Sequence, residues 1–129
     1  MKRREALKLG GAALVSSSLF PLIQACKNES RLNWQPSFLS EEHAQLISAL
    51  VDTILPRTDT PGGLDVKVDL FIDKVFSQLY DEAGQQAVVT AMNQFNENCQ
   101  AQFGKVFHEL SAEQRATILR TEETNSAKF

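Results

Sequence analysis

Residues 40–56 read SEEHAQLISALVDTILP, and this stretch has the pattern of an amphipathic helix. Ser40 is a favoured N-cap residue, and the two glutamates after it lie in the first turn, where the helix dipole favours negative charge. Apolar residues then recur at spacings of three and four, which places them on one face. They are Leu46, Ile47, Leu50, Val51, Ile54 and Leu55. Pro56 is expected to end the helix, because a proline cannot continue it.

Three further helices are expected downstream. Apolar periodicity predicts them over about 68–80, 85–103 and 111–121. Phe71 and Leu79 belong to the apolar line of the first of these, and Gly104 is placed as a C-terminal stop for the second. Ser111 and Gln114 form a capping box for the last. No stretch alternates apolar and polar residues as a strand would, so the fold class is all-α, a small bundle of about four helices after an N-terminal signal segment.

The first 25 residues predict an export signal. Residues 1–8 read MKRREALK, and residues 9–25 carry no charge, which gives a basic region followed by an apolar one. Arg3 and Arg4, followed by Leu7 and Lys8, resemble the twin-arginine motif, whose export route carries folded proteins. A membrane-spanning helix is disfavoured, because serines and a proline dilute the apolar run below the usual length of about 20 residues.

Cys26 carries a second processing signal. Residues 22–26 read LIQAC and look like a bacterial lipobox, in which the cysteine receives lipid. The alternative is a simple cut near Ala25 that leaves a free cysteine. Lipidation would make residues 26–38 a tether and residues 39–129 a helical domain, and the mature chain a membrane-anchored periplasmic lipoprotein. Two or more acyl chains would hold it stably.

The composition of the mature chain excludes several classes of protein. From Cys26 onward, nine Lys or Arg face fifteen Asp or Glu, a formal charge of −6, so no nucleic acid is expected as a partner. Cys99 is the only cysteine besides Cys26, so no intrachain disulfide is expected once Cys26 is lipidated. The length suits one domain.

No catalytic, cofactor-binding or metal-binding constellation is predicted. His43 and His108 lie far apart in sequence without ligand spacing, and are interpreted as solvated or capping histidines. Cys99 lies on the apolar line of the third helix and is interpreted as a small core residue. Asp69 and Asp73 have helical spacing and are interpreted as exposed surface acids.

A family resemblance comes from four short segments in order along the chain. They are LSEE at 39–42, ILP at 54–56, TDTPGG at 58–63 and VDLFID at 68–73. Together they resemble the gluconate 2-dehydrogenase subunit 3 family. The C-terminus is either naturally short or that of a fragment. The family usually continues with a further helix and a Gly-Tyr-Phe-type segment, so the resemblance favours a domain that is C-terminally incomplete here and puts any contact made by that part in doubt.

The resemblance implies a non-catalytic small subunit of a membrane-associated dehydrogenase that oxidises sugars or sugar acids. Its large partner is a flavoprotein of the glucose–methanol–choline class, which holds FAD, and a cytochrome c subunit often takes the electrons onward. The small subunit binds no cofactor itself and is expected to escort the folded partner through the twin-arginine route. The alternative is a free-standing envelope lipoprotein that acts as a binding module.

Two places are candidates for contact with such a partner. One is the loop of Thr58, Asp59, Thr60, Pro61 and Gly62. Its alternative interpretation is a simple turn, with Asp59 bonding to the local backbone and Gly62-Gly63 supplying positive φ. The other is the aromatic pair Trp34 and Phe38 before the first helix, which could anchor a partner or close the core.

Overall fold

A computed structural model of the chain describes residues 32–126. The predicted export motif (Arg3, Arg4, Leu7 and Lys8) and the predicted lipidation site Cys26 lie outside the described residues. Residues 32–126 form four α-helices: α1 at Glu41–Ile54, α2 at Val68–Leu79, α3 at Glu82–Phe103 and α4 at Ala112–Ser126. A 3₁₀ turn at Phe107–Glu109 connects α3 to α4. No strand occurs between residues 32 and 126, so the predicted all-α fold is confirmed.

The helix ends that were predicted from local sequence are confirmed. The Ser40 hydroxyl accepts the backbone N–H of His43 at 3.2 Å, as an N-cap should. In the capping box of α4, Ser111 N–H donates to the Gln114 amide oxygen at 3.1 Å, and Gln114 N–H donates to the Ser111 hydroxyl at 3.3 Å. Gly104 ends α3 with φ 72°, a left-handed conformation that glycine adopts without steric cost.

Two helices are longer than expected. α3 begins at Glu82 because the Asp81 carboxylate accepts Gly84 N–H at 2.8 Å and caps the helix early. α4 continues to Ser126, beyond the predicted end near residue 121. Its last turns carry polar residues, so apolar periodicity gives no signal there, although glutamate and arginine are good helix formers.

The core is centred on Phe107, which lies in the unpredicted 3₁₀ turn and is fully buried. Its ring lies 5.3 Å from that of Phe95, centroid to centroid. The backbone is held from both sides: Phe107 N–H donates to the Asn96 side-chain oxygen at 3.2 Å, and the Arg115 Nε donates to the Phe107 carbonyl at 3.2 Å. The Arg115 guanidinium also lies 5.5 Å from the ring centroid. Burying such a ring contributes about 2–3 kcal/mol.

Ten further apolar residues surround this ring or line the helix faces around it. They are Leu39, Ala44, Leu46, Ile47, Ala49, Val51, Met92, Cys99, Leu110 and Ile118. Cys99 is therefore a core residue, as predicted. Its burial, with a smaller effect of Glu122, raises the pKa of the thiol to about 11.

The interpretation of His43 as a solvated or capping residue is wrong. Its side chain is buried, and Nε2 lies 2.8 Å from the Asn93 side-chain oxygen. His43 comes four residues before Ile47, so it shares the inward face of α1 and faces α3. A hydrogen bond between the two helices satisfies its ring nitrogen there.

Candidate partner-binding site

Asp69 and Asp73 of α2 are not surface acids, contrary to the sequence-based interpretation. They are 4% and 2% exposed. Asp73 accepts three backbone N–H groups: Oδ2 that of Ser37 at 2.6 Å, and Oδ1 those of Phe38 at 3.1 Å and Leu39 at 2.9 Å. One carboxylate thus satisfies three consecutive donors of a segment that has no helix or strand partner.

Asp69 holds the same segment one turn earlier on α2. Its Oδ2 accepts the indole N–H of Trp34 at 3.1 Å and the hydroxyl of Ser48 at 2.8 Å. The i, i+4 spacing suggested a pair of solvated acids. In the structure it places both carboxylates against the segment 34–39, the entering segment, which precedes α1. The available sequence signal was the stretch at 37–39 before the first helix, whose backbone N–H groups have no helix or strand partner and required acceptors from elsewhere.

Trp34 and Phe38 therefore lie on the helical domain. Phe38 packs edge-on against Phe76 of α2, with ring centroids 6.4 Å apart, and Leu39 is buried. Trp34 and Phe38 are each half-buried. The last part of the predicted tether, 34–38, is bound to α2, and the partner-contact role of its two aromatic residues stays a prediction.

The loop between α1 and α2 folds back on the end of α1. Gly63 N–H donates to the Leu55 carbonyl at 2.8 Å, and Val68 N–H donates to the Gly63 carbonyl at 3.0 Å. A Cβ atom on Gly62 would lie 2.6 Å from Arg57 N and 2.9 Å from the Leu55 carbonyl oxygen. The loop therefore requires glycine at 62 because two backbone segments approach closely.

The interpretation of this loop as a simple turn is wrong in both of its details. Among residues 32–126, positive φ occurs only at Lys67 and Gly104, so Gly62 and Gly63 do not supply it. Asp65 makes the hydrogen bonds that were expected of Asp59: its carboxylate accepts Gly62 N–H at 2.8 Å.

Arg57 completes the arrangement around Asp65. Its Nε donates to Asp65 Oδ2 at 2.8 Å, and a second guanidinium nitrogen contacts Oδ1, so the pair is bidentate. The hydrogen bond from Arg57, followed by that from Gly62, holds the pKa of Asp65 below its usual value. Both side chains reach solvent, so their role is to shape the loop.

The predicted contact residues Thr58, Asp59, Thr60 and Pro61 form the exposed tip of this loop, whereas Gly62 is buried beneath it. Within the tip, Thr58 N–H donates to the Thr60 carbonyl at 3.1 Å. The tip borders a shallow, open depression that Arg57 and Asp65 also line. The five predicted loop residues thus lie together in this loop. Trp34 and Phe38 are held on α2, Trp34 by Asp69 and Phe38 by Asp73.

Five large apolar side chains near the loop are exposed, and we call them the apolar collar. They are Ile54 (70% exposed), Leu55 (53%), Leu64 (39%), Val66 (62%) and Phe71 (66%). Ile54, Leu55 and Phe71 were predicted to lie on apolar helix faces. The apolar periodicity continues through these positions, but no other described element covers them, so the side chains stay exposed. Leu79, from the same predicted apolar line on α2, is also exposed.

Between residues 32 and 126, no helix combines the length and apolar character that a membrane span needs. Within the same residues, no three His, Cys, Asp or Glu side chains cluster so as to hold a metal ion.

Comparison with known proteins gives one match. A family model described as gluconate 2-dehydrogenase subunit 3 matches residues 41–128. No curated protein and no solved structure matches the chain. The matched residues cover all four helices and the loop with its collar. Because the match spans well over half of the chain, the protein belongs to the gluconate 2-dehydrogenase subunit 3 family.

Proposed function

We propose that this chain is the non-catalytic small subunit of a flavin-dependent dehydrogenase that oxidises sugars or sugar acids. The observation that carries the proposal is the family match, because the family is described as a subunit of a dehydrogenase. A subunit works by binding its partners, and the rigid loop with its exposed collar offers a binding surface. The partner is the large flavoprotein of the glucose–methanol–choline class, which holds FAD.

The proposed task of this subunit is escort and anchoring. Arg3, Arg4, Leu7 and Lys8 support export by the twin-arginine route, which transports folded proteins. A large subunit that has already folded around FAD can then leave the cytoplasm by binding this chain. Lipid on Cys26 would hold the complex at the membrane on the periplasmic side. A cytochrome c subunit would receive the electrons there.

The first test is a pull-down. The tagged full-length chain is purified from its native membranes, and the flavin absorbance of the eluate is recorded. We expect a flavin spectrum and a co-eluting chain of the large-subunit class. A colourless single chain would refute the subunit proposal and support the free-standing lipoprotein. The lipobox-like sequence LIQAC at 22–26 fits that alternative equally well.

The second test concerns export. Replacing Arg3 and Arg4 together by lysine is expected to leave the large subunit in the cytoplasm, because the route recognises the arginine pair. The change keeps both charges, and Lys2→Arg in the same basic region is the matched control. Localisation is measured by flavin-dependent dye reduction in periplasmic and cytoplasmic fractions. Normal export of the large subunit by the lysine variant, or in a strain that lacks this chain, would exclude the escort role.

A further inference from the structure

We infer that the apolar collar is the surface on which the large dehydrogenase subunit docks, and that this partner presents an apolar patch with a basic rim. The inference rests on the proposed function and specifies which face of the domain serves it. The collar consists, as above, of Ile54, Leu55, Leu64, Val66 and Phe71, from the end of α1, the loop and the start of α2.

The collar residues are exposed and come from neighbouring parts of the backbone. Single exposed apolar residues are ordinary on protein surfaces, but contiguous apolar patches mark interaction sites. The Gly63–Leu55 hydrogen bond brings the loop back to the end of α1, and Leu64 follows directly, so the backbone of Leu64 lies near that of Leu55. Phe71 lies one helical turn after Lys67, whose carbonyl accepts its N–H at 3.2 Å. The five side chains therefore belong to one region of the surface.

The loop that carries Leu64 and Val66 is held in place by its own hydrogen bonds. Gly62 fits only because it has no Cβ, and Asp65 ties the loop to both Gly62 and Arg57. The backbone that presents Leu64 and Val66 is therefore fixed before any partner arrives. A surface that is already ordered loses less conformational entropy on binding, which favours affinity.

The charge of the domain favours a basic partner over a second copy of the chain. Residues 32–126 carry six Lys or Arg against fourteen Asp or Glu, a formal charge of −8, so association with a second copy is disfavoured. Arg57 is already paired with Asp65 beside the collar. The other exposed charges close to the collar in sequence, Asp52, Asp59, Lys67 and Lys74, balance one another, so the acidic excess belongs to the domain as a whole. A partner whose apolar patch is surrounded by basic groups complements this acidic domain.

The collar is large enough to form the centre of an interface. Five side chains with these exposures make a patch on the order of several hundred Å², the range in which surface patches are often functional. A standard interface needs about 800 Å² from each partner. The collar thus supplies the apolar centre, and the polar loop tip of Thr58, Asp59 and Thr60 is placed to form part of the rim. Phe71, as the only aromatic member, is the expected anchor.

The test compares two serine substitutions of exposed apolar residues on α2. Phe71→Ser lies in the collar, whereas Leu79→Ser, at a residue 76% exposed, lies eight residues further along the helix, or about 12 Å. Each tagged full-length variant is expressed in place of the wild type and purified from membranes, and flavin absorbance per mole of tagged chain is measured. We expect Phe71→Ser to lower flavin recovery at least tenfold and Leu79→Ser to match the wild type.

Second variants guard against misfolding and test the charge argument. Val66→Ser, at a residue 62% exposed in the loop, should lower recovery as well, and both collar variants should keep the wild-type circular dichroism. Asp59→Lys should weaken capture, with a smaller loss at high salt, if the partner's rim is basic.

The outcomes separate the inference from the proposed function. Full flavin recovery with Phe71→Ser and Val66→Ser, beside a flavin-bearing wild type, would overturn the docking surface and leave the subunit role intact. A wild-type chain without flavin would overturn both. A wild type that is dimeric by itself in sedimentation, and becomes monomeric with Phe71→Ser, would overturn the inference in favour of self-association.

Discussion

Replacing Asp73 by asparagine is expected to release the entering segment from α2 while the four helices remain folded. The native carboxylate accepts the N–H groups of Ser37, Phe38 and Leu39. Asparagine keeps the shape but offers one oxygen in place of two, and its amide group points N–H donors at a backbone N–H. The substitution therefore removes acceptor capacity and charge with little change in volume.

The magnitude follows from those three bonds. Each hydrogen bond to a charged group contributes about 1.5–3 kcal/mol, and one to a neutral group about 0.5–1.5 kcal/mol. Losing one bond costs about 1.5–3 kcal/mol and weakening two costs about 1–1.5 kcal/mol each, which gives roughly 3.5–6 kcal/mol if nothing replaces them. Water can reach donors of a surface segment after it detaches, so we expect a loss of about 2–4 kcal/mol in the free energy of unfolding. Typical free energies of unfolding are about 0.05–0.15 kcal/mol per residue, so a loss of this size would be a large share of the total stability of the domain.

The assay combines urea unfolding with two local probes. Trp34 is the only tryptophan, and its indole is bound to Asp69 on the same helix, so its emission should shift to longer wavelength when the segment detaches. Amide hydrogen exchange at Phe38 and Leu39 should accelerate far more than in α3. Asp59→Asn is the matched control, because Asp59 is exposed and makes no hydrogen bond within the described residues, and it should change stability by less than about 0.5 kcal/mol. An Asp73→Asn protein with wild-type stability and slow exchange at both amides would refute the reasoning.

Three further predictions concern the loop and the core. Gly62→Ala should lower the free energy of unfolding in urea by about 3 kcal/mol, because the added Cβ would clash with backbone atoms. Gly104→Ala should lower it by about 1 kcal/mol, because the space around Gly104 is open but its φ of 72° is unfavourable for alanine. Equal losses would contradict the close approach of backbone at Gly62. Cys99 should react with iodoacetamide at pH 8 about 100-fold more slowly in the folded than in the unfolded chain, because its pKa is raised from 9.0 to about 11. The contribution of this thiol to stability should be complete below pH 9 and lost as the pH rises through about 11. Rapid modification of Cys99 in the folded chain, measured by mass spectrometry, would exclude a buried thiol. The Gly62 amide chemical shift should report the titration of Asp65 at a pH below 3.8, because the hydrogen bond from Arg57 lowers the pKa of Asp65. The contribution of Asp65 to loop order should be complete above pH 3.8 and lost as the pH falls through its pKa in the folded chain. Titration at or above pH 3.8, or an Asp65 pKa that is unchanged in Arg57→Ala, would contradict that cause.

Local signals in the sequence predicted most of the fold. Caps act within a few residues of each other, so Ser40, Gly104 and the pair Ser111 and Gln114 could be recognised without knowing the tertiary structure. Apolar periodicity located the helices for the same reason. The predicted end of α4 failed where the periodic signal stopped while helix-forming residues continued.

The roles that depend on distant partners were not predictable from spacing. Asp69 and Asp73 have the spacing of surface acids, and only the chain entering some 35 residues earlier makes them buried acceptors. The same holds for His43, whose partner Asn93 lies on α3. Conversely, Phe71 continues an apolar line that no other element covers. Which face is covered depends on how the helices pack, and that is not encoded within any one helix.

If Cys26 carries lipid, the hydrogen bonds of Asp69 and Asp73 to residues 34–39 also limit the distance between this domain and a bilayer. For a chain lipidated at Cys26, only residues 27–33 separate the acylated cysteine from the point where the chain is held by α2. Seven residues span at most about 25 Å even when fully extended, which is less than the diameter of a small globular protein. A large subunit bound to this domain would then be confined to the layer next to the membrane. Breaking the contacts of both Asp69 and Asp73 would lengthen the free part of the chain by several residues.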